Sequence, residues 1–509
     1  MTNRLIPVLA VTLVLIAAIV SITPWPVGAI QDDATYVILA KSLATGEGYR
    51  QLNLPDAPRV THYPPGYPLF LAALWKLSPD FPNNVVLFKY VNAVLLAVAA
   101  AGVYGLARKR AELGAISSGV AAVAGLACVL VLYVTGVPLS EPLFLALLFP
   151  ALMTAEAAVS EESLPLAVAA GALGGVLALV RTIGIALLPA VVLALIIKRR
   201  WSSAIAALAT GLSVLAPWQL WATAHGADVP EIVAGKYGSY LSWMIGGYRE
   251  GGWPFASAVV NKNIADLQHL LDYLVMPIAS GWVRGATFAC ALALFVYGLT
   301  RLARRMPVTV LFVMGYSVIV LLWPFEVIRF VMAGFPLLAF VFIYGIVELW
   351  RARPPSLLLH APRSLLLAGG AAVTIGFIWY NVKGYREQWW TSVQRDSGER
   401  IGSVVSWVRR NTSATDVVAV QDDPAVYLYT GRRAVPVNDF EATDHVRPSA
   451  LDHDVANVTG ILQRYRPRFY IVAWPNTLRA ADSLARTRPA IIRPIDRIGS
   501  ATVFMNLAQ

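Results

Sequence analysis

Asp32 and Asp33 stand side by side in AIQDDATYVILAKSLATGEGYRQ (residues 29–51), directly after an apolar run that begins almost at the first residue. Paired carboxylates near a membrane are costly unless they are used or partnered. A carboxylate can take the proton of a hydroxyl nucleophile, and two together can shift one another's pKa or bind a divalent cation. The same residues can also be plain helix caps, accepting orphan N–H groups at a helix N-terminus. Further chemistry-bearing residues recur along the chain: His62 and Tyr63 in THYPPGYPLFLAALW (61–75), Glu141 in VPLSEPLFLALL (137–148), and Arg181 in LALVRTIGIALLP (177–189). Glu326 and Arg329 follow in LLWPFEVIRFVMAGFPLL (321–338). Each arginine could be a snorkelling anchor, and Glu326–Arg329 an i, i+3 ion pair. Anchors, however, belong at both membrane faces, and these groups gather at one.

That common depth follows from the elements that carry them. The 509 residues are 57% hydrophobic and 14% charged, against about 25% charged in a soluble domain. Spans need about 20 apolar residues. Eleven runs are candidates, near 5–23, 84–106, 115–134, 138–157, 164–180, 184–198, 202–222, 282–300, 307–323, 328–349 and 364–381, the fifth and sixth being short. The net charge of +11 does not point to nucleic acid, because the basic residues cluster at run ends: ARKR at 107–110, KRR at 198–200, RLARR at 301–305 and RAR at 351–353. With Arg4 and the N-terminus cytoplasmic, all four clusters fall on the cytoplasmic side. A cleaved signal peptide is the alternative for the first run. Cys128 and Cys290 lie within apolar runs and form no metal or disulfide motif.

The expected architecture is therefore a polytopic α-helical membrane protein of about eleven spans (residues 1–381) with outer loops at 24–83 and 223–281. In the first loop, DDATYVILAKSLATG has helical apolar spacing and predicts an amphipathic helix in the membrane interface. Residues 382–509 predict a soluble extracytoplasmic α/β domain, with SGERIGSVVSWVRRN as a helix and DVVAV, AVYLY, RFYIVAW and ATVFMNL as strands.

An acidic pair after the first span, then ATYVILAKSLATGEGY, then HYPPGYPLF, resembles the first outer loop of the GT-C superfamily of glycosyltransferases. The nearer branch is the protein O-mannosyltransferase-like and aminoarabinose-transferase-like one. Asp32, Asp33, Ala34, Tyr36, Lys41, Gly46 and Tyr49 match that pattern, and LSEPLF and RFVMAGFPLL resemble later segments. The resemblance implies inverting transfer of a sugar from a polyprenyl-phosphate donor to a hydroxyl of a lipid, glycan or protein acceptor at the outer face of the plasma membrane. It makes Asp32 the general base and Asp33 a second acid or a contact to a divalent metal, the one cofactor the resemblance leaves open. Donor phosphate would fall to Arg329, Arg181, Lys41 and Lys236, and substrate contacts to Tyr36, His62, Tyr63, Glu141 and Glu326. The chain departs from the family where Tyr63 precedes Pro-Pro in place of a basic residue, which shifts phosphate binding towards the arginines.

The chemistry stands independently: a hydroxyl must lose a proton and a phosphate must leave with its charge stabilised. GKYGSYLSWMIGGYREGGW (235–253) could be a sugar-binding lid or an aromatic belt, and the Asp/His-rich DHVRPSALDHD (444–454) reads as a solvated loop before a metal site. An O-antigen-ligase or polymerase-like transferase is the nearest rival, and such enzymes lack an acidic pair here. A transporter would place its charges at mid-membrane.

Overall fold

The computed structural model describes residues 2–25, 27–275, 281–352 and 360–508. Each of the eleven apolar runs is helical. They form α1 (Thr2–Val20), and, after α2 (Asp32–Ala44) and α3 (Gly66–Leu77) of the first long loop, α4 (Asn84–Lys109) and α5 (Ala115–Leu126). The short α6 (Val129–Leu132) leads to α7 (Glu141–Ser160), α8 (Leu164–Val180), α9 (Leu187–Ile197) and α10 (Trp201–Ala224). Then come α11 (Ala234–Tyr237), α12 (Tyr240–Val275), α13 (Gly281–Leu302), α14 (Pro307–Leu321), α15 (Ile328–Arg351) and α16 (His360–Glu387). Among the described residues six helices are long and apolar enough to cross a membrane, namely α4, α7, α10, α13, α15 and α16; five apolar helices are shorter, at 10–17 residues.

Local sequence explains where the site-bearing helices begin and end. Glu141 opens α7 with a proline in its first turn, a position where the missing N–H costs nothing. Arg181 ends α8 by turning to extended backbone (φ −145°). Gly66 opens α3 against the end of α8: a Cβ there would lie 2.6 Å from the Leu179 carbonyl oxygen, so only glycine lets the YPPG turn seat beside Arg181.

The tail folds as α17 (Ser392–Asn411), β1 (Val418–Val420), α18 (Asp423–Thr430), β2 (Ala434–Val435), α19 (Leu451–Tyr465), β3 (Phe469–Val472), α20 (Pro475–Thr487), β4 (Ile492–Ile498) and β5 (Ala501–Asn506). Its sheet has the order β2-β1-β3-β5-β4, with β1 parallel to both neighbours and β5 antiparallel to β3 and β4. Alternation divides the sheet between two helical layers. Val418, Val420, Phe469 and Ile471 pack with Ile401, Val404 and Val426 of α17 and α18. Ala419, Tyr470 and Val472 face Val458, Ile461, Ala480 and Leu484 of α19 and α20.

Two expectations change. AVYLY is not a strand but part of α18, which starts at Asp423-Pro424 and stops at Gly431 (φ 73°), so its caps outweigh its β-rich composition. Nor does α2 keep a wet face: Asp33 to Ala40 are all buried, because the tail covers the side that faces away from the bundle. Asn53 links the loop to the tail, with Nδ2 donating to Asp423 Oδ2 at 2.8 Å, and the Val27 N–H donates to the Tyr429 hydroxyl at 2.9 Å.

Candidate active site

Four helix ends meet. Asp32 is the first residue of α2, Glu141 the first of α7, Arg329 lies in the first turn of α15, and Arg181 terminates α8. A carboxylate is favoured at a helix N-terminus and a guanidinium at a C-terminus, which suits three of the four. Arg329, at a positive helix end, is held by acids from two other helices. Its Nε donates to Glu141 Oε1 at 2.9 Å, its Nη2 lies 2.8 Å from the same oxygen, and its Nη1 donates to Asp32 Oδ2. Arg181 Nη1 lies 2.9 Å from Glu141 Oε1 and donates to Ser140 Oγ at 3.1 Å. Glu141 is fully buried and serves both arginines, so the two acids and two bases balance in charge.

Asp32 Oδ1 accepts from the Tyr63 hydroxyl at 2.7 Å, while about a quarter of its side chain (26%) remains accessible. Burial pushes its pKa up, but the Arg329 charge and the Tyr63 hydroxyl outweigh that and hold it below the ordinary 3.8. His62 is pushed down to about 4, chiefly by burial against the opposing pull of its hydrogen bond and of Asp32. Its Nδ1–H donates to the Gly238 carbonyl at 2.6 Å. The ring is therefore neutral at pH 7, with Nε2 as an acceptor. Tyr240 covers His62 at a centroid distance of 3.6 Å, and Tyr36 packs edge-on against Tyr63 and Tyr67, each at 5.0 Å.

Asp33 points the other way. Its oxygens accept the N–H groups of Gly28 (2.8 Å) and Ile30 (3.3 Å), and it is fully buried. Burial raises its pKa, with those backbone donors pulling against it. A divalent cation does not fit there, since both oxygens already serve the backbone; among the described residues no cluster of three His, Cys, Asp or Glu is arranged for one.

The structure thus brings together Asp32, Glu141, Arg181, Arg329, Tyr36, Tyr63 and His62, and leaves other candidates outside. Lys41 lies at the far end of α2, 5.1 Å over the Tyr427 ring. Lys236 is spent on Asp423 Oδ1 at 2.5 Å, in the seam between loop and tail. Glu326 is exposed and makes no hydrogen bond or ion pair among the described residues; it precedes α15, so the i, i+3 pair with Arg329 never forms. In DHVRPSALDHD, Asp444 forms a capping box with Glu441, His453 lies 3.3 Å from Glu441, and His445 Nε2 pairs with Asn263 Oδ1 of α12 at 3.1 Å. Ser140, Tyr67 and Tyr240 also belong to the cluster, beyond the residues expected from the sequence. Each had a signal in its surroundings: Tyr240 lies in the aromatic GKYGSYLSW stretch, Ser140 in LSEPLF and Tyr67 in HYPPGYPLF.

An apolar cavity of about 410 Å³ opens between α5, α7 and α12–α16, walled by residues including Leu148, Leu271, Phe295, Tyr316, Phe330 and Phe335. Phe330 separates it from the charged cluster: its ring lines the cavity and lies 5.5 Å from the Arg181 guanidinium, and its carbonyl accepts the Tyr316 hydroxyl at 2.7 Å.

No family model matches the chain, and no curated protein sequence does. Solved structures match in fold over nearly the whole length. The crystal structure of ArnT from Cupriavidus metallidurans bound to undecaprenyl phosphate aligns at a TM-score of 0.53 and 13% identity, covering 99% of this chain and 98% of that one. The apo form aligns at 0.52 and 14% identity, with 98% of each chain covered. This chain is thus a multi-pass membrane protein sharing the ArnT fold.

Proposed function

We propose that the chain is a GT-C glycosyltransferase that moves a sugar from a polyprenyl-phosphate donor to an acceptor hydroxyl at the outer face of the membrane. One observation carries this reading: a charge-balanced Asp32–Arg329–Glu141–Arg181 cluster lies next to an apolar cavity, separated from it by Phe330, which lines the cavity and packs 5.5 Å from the Arg181 guanidinium. An apolar cavity suits a polyprenyl tail, and paired guanidinium groups suit the phosphate at its head. The ligand carried by one of the ArnT structures, undecaprenyl phosphate, is of that kind.

The residues divide the work as follows. The donor phosphate binds Arg329 and Arg181 in competition with the carboxylates that now hold them. Drawing Arg329 off Asp32 removes the charge that depresses the Asp32 pKa, and so makes that carboxylate a stronger base once donor is bound. Asp32 then takes the acceptor hydroxyl proton as the acceptor oxygen bonds to the sugar's anomeric carbon. The bond from that carbon to the phosphate oxygen breaks, and its electron pair leaves on the phosphate, which the two arginines stabilise. A single displacement inverts the anomeric centre. Glu141 keeps the two guanidiniums apart at a fixed spacing, Tyr63 aims Asp32, and Asp33 anchors the backbone that precedes it.

The first cytoplasmic-to-outer crossing, the outer placement of the loops and tail (domains 1–381 and 382–509), and the N-terminus in the cytoplasm belong to the same proposal, and rest on the basic run ends. The test is to incubate the purified protein with a panel of polyprenyl-phosphate sugars and follow each by mass spectrometry. Release of polyprenyl phosphate from one of them is expected; no consumption of any donor in the presence of membrane-extract acceptors counts against the reading.

A further inference from the structure

The tail contains a second site that the transfer chemistry does not use. In its sheet, β1 leads through α18 to β2 on one side, and β2 leads through α19 to β3 on the other. The two helices lie on opposite faces. The carboxyl ends of β1 and β3 therefore form a topological switch point, the place where open α/β sheets leave a crevice for ligands. A cavity of about 380 Å³ lies there, lined by Gln421 and Asp422 after β1, Ala473 and Trp474 after β3, Arg400 of α17 and Ser500. Residues Ala29 to Gln31, immediately before Asp32, also line it. Its volume falls within the about 300–1,000 Å³ usual for small-molecule sites.

Its walls define a ligand chemistry. Gln421 Oε1 accepts the N–H groups of Ala473 (3.2 Å) and Trp474 (3.0 Å), which fixes the amide orientation. Nε2 donates to no protein atom among the described residues, although Gln421 itself is 5% exposed. Arg400 grips Asp422 with two nitrogens, Nε to Oδ2 at 3.1 Å and Nη2 to Oδ1 at 3.2 Å, so the pocket carries no net charge from that pair. Asp422 retains lone pairs for further donors. Trp474 is 38% exposed and offers an indole face. A free amide donor, a neutralised carboxylate, a hydroxyl and an aromatic plane suit a neutral polyhydroxylated ring, whose C–H face lies on indole while its hydroxyls meet the polar groups.

We infer that this pocket binds a neutral saccharide, and that the acceptor of the reaction carries one; this second clause rests on the transferase reading. The roof of the pocket is tied to the base. Gln31, with left-handed backbone (φ 61°), donates from Nε2 to the Gln421 carbonyl at 3.4 Å and directly precedes Asp32. Asp33 holds the same roof through Gly28 and Ile30.

The test uses the full chain in detergent on an array of neutral oligosaccharides and their phosphorylated counterparts. Wild type and Asp32→Asn should both retain neutral glycans. Trp474→Ala, and Ser500→Trp at the exposed rim, should each lower retention at least tenfold with unchanged melting temperatures. No retained glycan, retention of phosphorylated glycans alone, or binding indifferent to both variants overturns the site. Glycan binding without any donor consumption would sink the transferase reading and leave the saccharide site standing; donor consumption without glycan binding would do the reverse.

Discussion

Replacing Arg329 by lysine keeps the positive charge and removes the fork, so it separates geometry from electrostatics. Arg329 now touches two carboxylates with three nitrogens: Nε and Nη2 reach Glu141 Oε1 at 2.9 and 2.8 Å, and Nη1 reaches Asp32. A single ammonium on a flexible stem can serve one of these acids but not both at those positions. One charge-assisted contact is lost, worth about 2 kcal/mol. At about 1.4 kcal/mol per tenfold, kcat/KM for the donor should fall roughly 30-fold. Arg329→Ala removes the charge as well and should cost at least a further tenfold, with donor binding weakened more than acceptor binding. Initial-rate kinetics on purified protein with a polyprenyl-phosphate sugar provide the readout. If Arg329→Lys stays within twofold of wild type while Arg329→Ala is dead, charge alone suffices and the bridging geometry is irrelevant. If both are near wild type, the phosphate does not meet Arg329 at all.

Tyr63→Phe deletes the 2.7 Å hydrogen bond that favours ionised Asp32, so the Asp32 pKa should rise and the acid limb of the kcat/KM profile move to higher pH by about one unit. An unmoved limb would separate Asp32 from that titration. The sign is that of a depressed carboxylate: activity and stability are present above its folded pKa and lost as pH falls through it. Asp33→Asn keeps one acceptor oxygen and loses the other, so it should lower stability by about 1–2 kcal/mol while kcat stays within tenfold of wild type; a loss of rate matching that of an Asp32 variant would return Asp33 to the chemistry. Ala291→Trp projects an indole into the apolar cavity and should raise KM for long-chain donors and spare short-chain analogues. Equal KM values for both would mean the tail lies elsewhere.

Much of the fold could be read from apolar runs, because a bilayer demands long apolar stretches: all eleven runs carry helix, although among the described residues only six helices are long and apolar enough to cross a membrane, and the run at 115–134 breaks into α5 and α6. The charged cluster was readable for a related reason. Asp32, Glu141, Arg181 and Arg329 each sit where an apolar run begins or ends, and charges at such ends are rare enough to stand out. What the sequence concealed was direction. Nothing in QDDA distinguishes the acid that faces the cluster from the one that caps Gly28 and Ile30, since that depends on the left-handed turn at Gln31. Lys236 and Lys41 shared the expected depth, but the tail supplies their partners, Asp423 and Tyr427, from nearly 200 and 400 residues away. Glu326 shows the opposite failure: near Arg329 in sequence, it falls outside the helix that would have paired them. The tail pocket depends on strand order, which no local pattern carries.

Asp32→Asn bears on the whole scheme. The substitution is nearly isosteric, and Glu141 still holds both arginines, so the purified variant should remain folded and bind polyprenyl-phosphate sugar. With no carboxylate to take the acceptor proton, sugar transfer should fall by about 10²–10⁴-fold. The decisive quantity is the rate of polyprenyl phosphate release by that variant beside wild type, measured by mass spectrometry on samples with matching melting temperatures. A rate at background with donor still bound is what the cluster geometry requires. A rate equal to wild type would show that Asp32 is not the base.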